Sequence, residues 1–135
     1  MILADTTFVI DLLRSRHNVT TLQKKMKDET IGLSLLSISE LYTGLYYTKN
    51  KLGDEVFTKK EGILQKVLSH FEIFELNEAI MVLAGKKRAA QIVAGNPIDL
   101  VDLIIGASAK YFCADAILTR NISHFNCWNI NILDY

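Results

Sequence analysis

The chain is poor in the residues that mark special environments. Proline occurs once, as Pro97 in what reads as a turn, so no proline-rich linker divides the 135 residues and one domain is expected. Cysteine occurs twice. Cys113 and Cys127 have neither zinc-site nor CxxC spacing, and they read as reduced thiols of a cytoplasmic protein. No apolar run is long enough to cross a bilayer. An acid at position 5, with no basic residue ahead of the first apolar run, does not fit a signal peptide. Neither sign of charge predominates, with 15 basic and 15 acidic residues, so the global signature of a nucleic-acid binder is missing. The lysine clusters at Lys24, Lys25 and Lys27, at Lys59 and Lys60, and at Lys86, Lys87 and Arg88 read as solvated helix faces. There is no GxSxG, no HExxH and no Walker or dinucleotide glycine pattern. His17, His70 and His124 stand too far apart in sequence to suggest a ligand set.

Hydrophobic residues, by contrast, make up half of the chain, enough for a core without disulfide or metal staples. Short apolar strands are predicted at Ile2 to Asp5, Ile31 to Leu35, Phe71 to Leu76, Ala116 to Thr119 and Ile130 to Leu133. Helical patterns lie between them: from Phe8 to Arg14, Val19 to Lys27, Ser37 to Tyr47, Glu78 to Val93, and Asp99 to about Phe112. Asn77 and Gly95 supply a cap at either end of one of these helices. The polar stretch TKNKLGDEVFTKKEG reads as an exposed connection entering a helix that runs to Leu68, and its charged part as a mobile clip. Strands alternating with helices imply an α/β fold, a parallel sheet of four or five strands with helices on both faces. Such sheets bind ligands outside the carboxyl ends of their strands.

The polar residues expected at that edge are Asp5, Glu40, Asp102, and the group Thr119, Arg120 and Asn121. Each acid taken alone has a plainer explanation. SISE is the pattern of a capping box from Ser37 to Glu40. Asp99 reads as the cap of the helix that carries Asp102, and Asp5 as the cap of the first helix. Acids in a first helical turn also suit the helix dipole. Capping does not explain why the acids gather at one sheet edge, nor why Asp102 sits among Leu100, Val101, Leu103, Ile104 and Ile105, where an idle charge is costly. Three carboxylates brought together repel one another unless a cation lies between them. Hard oxygen donors in that number suit magnesium or manganese, and metal held by carboxylates is a standard device for hydrolysing phosphodiesters. Tyr42, Tyr46 and Tyr47 read as core or subunit-interface packing, and Asp11 as one of an ordinary surface pair.

Four stretches, DTTFVIDLL, SISELYTG, DLVDLIIGASA and AILTRNISHF, resemble the PIN-domain ribonucleases in order and spacing, and within them are most similar to the VapC toxins of toxin–antitoxin pairs. The resemblance covers nearly the whole chain. It implies a single PIN-like domain that acts as a magnesium- or manganese-dependent endoribonuclease on RNA, cytoplasmic, silenced by an antitoxin protein and homodimeric, with no membrane association. The family's metal-binding acids fall on Asp5, Glu40 and Asp102. The fourth site position, often Asp in the family, is Asn121 here. Thr6, Thr7 and Thr119 match small polar positions around the metal, and Arg120 or nearby lysines would steady the phosphate. Two other functions fit the same resemblance: a PIN nuclease of RNA processing without an antitoxin, and a non-catalytic PIN-like interaction module.

Overall fold

The first strand, β1 (Ile2–Ala4), has no polar residue because both of its faces are covered. Alternation along it sends Ile2 and Ala4 into one core and Leu3 into a second on the opposite face. β4 (Ala116–Leu118) repeats this, with Ala116 and Leu118 in the first core and Ile117 in the second. The computed structural model describes residues 1–16, 19, 21, 22, 26 and 28–135. The helix expected over Val19 to Lys27 falls largely outside them, as do His17, Lys24, Lys25 and Lys27.

The remaining strands are β2 (Ile31–Ser34), β3 (Glu72–Phe74) and β5 (Asn131–Leu133). The sheet runs β3-β2-β1-β4-β5 with every neighbouring pair parallel. The first core lies under α1 (Thr6–Leu13), α2 (Leu35–Leu52) and α3 (Asp54–Leu68), which contribute Phe8, Leu12, Leu41 and Leu64. The second lies under α4 (Glu78–Val93) and α5 (Leu100–Tyr111), closed by the short α6 (Ile122–Phe125) and a 3-10 turn at Asn126–Trp128. The expected α/β architecture with helices on both faces is therefore present, with five strands.

Two local expectations are overturned. TKNKLGDEVFTKKEG is not a connection but the end of α2 and the start of α3, and the charged segment is helical throughout except at Gly53. Gly53 makes the corner because its φ of 86° is open to a residue without Cβ. The capping box at SISE also does not form. β2 passes directly into α2, whose cap is Ser34, accepting from the Leu36 amide at 3.4 Å. Ser37 is thereby already inside the helix and buried, and Glu40 is displaced to its second turn. The caps expected at Asn77 and Asp99 are present, accepting from Ile80 at 3.0 Å and Val101 at 2.8 Å.

Candidate active site at the carboxyl edge of the sheet

Register brings the site together. Ala4 lies opposite Leu33 on one side and Leu118 on the other, so the next residues, Asp5, Ser34 and Thr119, line one edge of the sheet. β1 sits at the topological switch point: the chain runs outward from it through β2 to β3 on one side, then crosses back to lay β4 and β5 on the other. Asp102 reaches the same edge differently from the other acids. It follows no strand, but stands in the first turn of α5, which runs antiparallel to the strands and leads back into β4.

Asp5 occupies the capping position of α1 without capping it. Its carboxylate is buried, with 2% of its surface exposed, and Oδ2 accepts hydrogen bonds from the hydroxyls of Thr7 and Thr119, each at 2.7 Å. Thr119 Oγ1 in turn accepts from the Asn121 amide at 2.9 Å. This chain of bonds orders the turn after β4 around Asp5. Asn121 itself stands at the start of α6 and makes no side-chain cap.

Glu40 faces α1 from α2, and Thr6 Oγ1 donates to its Oε2 at 2.5 Å. Burial pushes the Glu40 carboxyl above its ordinary value; the Thr6 hydrogen bond opposes this, while the charges of Asp5, Asp102 and Asp99 push it further up. The Asp102 carboxyl is raised too, first by burial, against the His124 hydrogen bond, with Asp5 and Asp99 adding repulsion. Acids from α2, α5 and the end of β1 thus share one electrostatic field. His124 was not legible as part of the site from spacing. Its Nδ1 lies 2.6 Å from Asp102 Oδ2. The only sign of it in the sequence is its place in the AILTRNISHF stretch.

The expected role of Asp11 is overturned. It is no surface residue but fully buried, at 0% exposure. Arg120 Nε lies 2.8 Å from its Oδ2 and Arg16 Nε 3.1 Å from its Oδ1. Arg120 is therefore turned toward α1, tied to Asp11. Asp115 lies at the opposite end of β4, where it meets the Met1 amino group at 2.6 Å.

Among the described residues, no three His, Cys, Asp or Glu side chains are grouped so as to hold an ion as they stand. Glu40 and Asp102 are turned instead to Thr6 and His124. The donor chemistry nonetheless fits a divalent cation: carboxylate oxygens come from three elements, Glu40 is pushed up by the charges of Asp5 and Asp102, and Asp102 by that of Asp5, and such charges are what a hard cation relieves. Beside Glu40 a groove of about 350 Å³ opens between α1, α2 and α3, with an apolar floor of Ile10, Leu41 and Leu64 and with Arg14 and Lys60 also lining it.

A five-stranded parallel sheet with acids gathered at its switch point defines a class of α/β proteins built to bind at that edge. The chain belongs to the PIN domain family, whose model matches residues 2–125. No curated protein matches it. Among solved structures it is similar to VapBC2 from Rickettsia felis, bound to a DNA fragment from its promoter, at 23% identity over 100% of this chain and 99% of that one, with a TM-score of 0.82. It is also similar to FitAcB from Neisseria gonorrhoeae (23% identity, 98% and 96% covered, TM-score 0.79). VapBC-1 from nontypeable Haemophilus influenzae is a third (20% identity, 99% and 98% covered, TM-score 0.80). At these identities the likeness is one of fold. No helix among the described residues is long and apolar enough to cross a membrane.

Proposed function

We propose that this chain is the nuclease toxin of a toxin–antitoxin pair, hydrolysing RNA phosphodiester bonds with a magnesium or manganese ion held by Asp5, Asp102 and Glu40. The observation that carries the proposal is the placement of Asp5. It stands where a helix cap belongs, yet its carboxylate caps no backbone amide and is held instead by the hydroxyls of Thr7 and Thr119, beside the other acids. Bound there, the ion supplies charge neutralisation at the phosphate and lowers the pKa of an attacking water.

The chain's own residues do the positioning. Thr7 and Thr119 hold Oδ2 of Asp5, so its other oxygen would be the one left to ligate the cation. His124 holds Oδ2 of Asp102 in the same manner. Glu40, released from Thr6, would complete the ion's ligands through a water, and the same contact would orient that water. Asn121 adds an amide but no charge, so the site carries one negative charge fewer than a four-acid site. The N-terminal end of α5 favours the phosphate, and the clustered acids outweigh its dipole for the cation.

In this reading the groove beside Glu40 receives apolar side chains of the antitoxin, and the exposed Tyr46 and Tyr47 of α2 lie on the surface joined to a second copy. The setting is cytoplasmic. The test is cleavage of structured RNA by the purified chain with Mn²⁺, with Asp5→Asn alongside. Cleavage by the parent and none by the variant is expected; equal cleavage by both refutes the proposal. A second reading, a non-catalytic PIN-like interaction module, is favoured by Asn121 and by the lack of a preformed three-ligand group among the described residues. It predicts no calorimetric heat on titration with Mn²⁺.

A further inference from the structure

Among the described residues, Asp11 is the one fully buried acid that the proposed chemistry leaves unused. A carboxylate out of water is costly unless it is paired and hydrogen-bonded, and here two guanidinium groups meet it. Arg16 comes from just beyond α1. Arg120 comes from the turn after β4, between Thr119 and Asn121. Asp11 follows Thr7 by one helical turn, so the two share a face of α1. That face is joined to the turn after β4 by two rungs. The first is Thr7–Asp5–Thr119, with both hydroxyls on one oxygen. The second is Asp11–Arg120, at 2.8 Å. Tyr135 stands between the rungs, its hydroxyl 3.5 Å from Thr7 Oγ1 and 3.4 Å from Asp11 Oδ2, with its ring edge-on to Phe8 at 5.3 Å between centroids.

We infer that Asp11 and Arg120 are positioning residues for Asp5: their buried ion pair locks the turn after β4 against α1, so that the Thr7 and Thr119 hydroxyls meet on a single carboxylate oxygen. The inference rests on the proposed metal site only for its consequence, not for its geometry. Without the pair, the one side-chain tie from the turn to α1 among the described residues is the hydroxyl bond; the backbone bonds from Asp5 N to Leu118 O and from Thr119 N to Leu133 O hold the end of β4 but do not orient the Thr119 side chain. Asp5 then samples orientations in which its oxygens are no longer distinguished. Residues that orient metal ligands in this way typically change metal affinity by about 10–100-fold when removed.

Two readouts on the intact chain test this: the calorimetric Kd for Mn²⁺, and the exchange rate of the Thr119 hydroxyl proton by NMR without metal. The variants are Arg120→Met, Arg120→Lys and Tyr135→Phe, with Asp11→Asn where it folds. Leu12→Ala, a core truncation beside Asp11 that touches neither rung, is the stability control. Arg120→Met is expected to raise the Kd about tenfold and to speed hydroxyl exchange by a similar factor. Arg120→Lys should recover part of both effects. Leu12→Ala should lower Tm and leave both readouts unchanged. Parent-like Kd and exchange in Arg120→Met overturn the inference, as does a Leu12→Ala variant with the same losses. If the parent binds no Mn²⁺, the proposed function fails, and the positioning role is still decided by hydroxyl exchange: parent-like exchange in Arg120→Met refutes it.

Discussion

Gly106 has no room for a methyl group, and replacing it with alanine tests how α5 is coupled to the 3-10 turn that follows His124. A Cβ there would fall 2.5 Å from Trp128 Cε2 and closer still to Nε1 and Cδ1. The indole would have to retreat by well over an ångström before its nearest atom, Nε1, reached an ordinary 3.4 Å contact. It has little freedom to do so, being 3% exposed, with Lys87 Nζ 5.1 Å from its ring centroid and also bonded to the Cys127 carbonyl at 2.7 Å. Overpacking absorbed by such a shift costs about 1–3 kcal/mol. Complete expulsion of the indole, exposing about 200 Å² at about 25 cal/mol per Å², sets a ceiling near 5 kcal/mol. Alanine in a helix interior returns about 1 kcal/mol relative to glycine. The expected net loss is about 2 kcal/mol, or roughly 8 °C in Tm at about 4 °C per kcal/mol. Urea unfolding followed by fluorescence is the assay, because Trp128 is the one tryptophan in the chain. The native emission of Gly106→Ala should shift to the red, and Trp128→Leu should relieve the penalty in the double variant. A Gly106→Ala protein as stable as the parent, with unchanged emission, refutes the packing argument.

Three further outcomes are expected. Glu40 and Asp102 have folded pKa values raised above their ordinary 4.5 and 3.8; the stability they contribute is full below those values and lost as pH rises through the raised ones. Metal-free Glu40→Gln should therefore have a higher urea midpoint than the parent at pH 8, with the gap closing toward pH 4; a gap that widens on acidification contradicts the field described here. Thr119→Val removes one of two hydroxyls from Asp5 Oδ2 and should weaken Mn²⁺ binding about tenfold, while costing about 1–3 kcal/mol of stability, as read by calorimetry and urea titration. Gly32→Ala places a Cβ inside the Phe74 ring position and should destabilise by about 1–3 kcal/mol; parent-like unfolding would show that β2 and β3 yield more than their packing implies.

The parallel sheet and the edge at which the acids gather were legible because short apolar strands and helix periods state burial directly. So was Asn77, a residue whose capping chemistry is local. What misled was local chemistry overruled by chain connection. SISE has the letters of a capping box, but β2 runs into α2 without a loop, so the helix begins before Ser37 and Glu40 is freed to face Thr6. Asp11 looked like a surface acid because two of its three partners, Arg120 and Tyr135, lie more than a hundred residues away, and the third, Arg16, lies beyond the end of its helix. His124 failed for the same reason: its partner Asp102 is on another helix, and no spacing rule relates them. The charged stretch around Gly53 resembled a loop by composition, while two helices meeting at a glycine satisfy the same letters.

The central claim is that Asp5, Glu40 and Asp102 exist to hold a divalent cation. The most direct test is a crystal of the intact chain soaked in Mn²⁺ and measured for anomalous scattering. The expected result is a manganese peak bounded by oxygens of Asp5 and Asp102, with Glu40 turned away from Thr6 toward it. A well-ordered site without a peak, its carboxylates still bonded to Thr6 and His124, would contradict it.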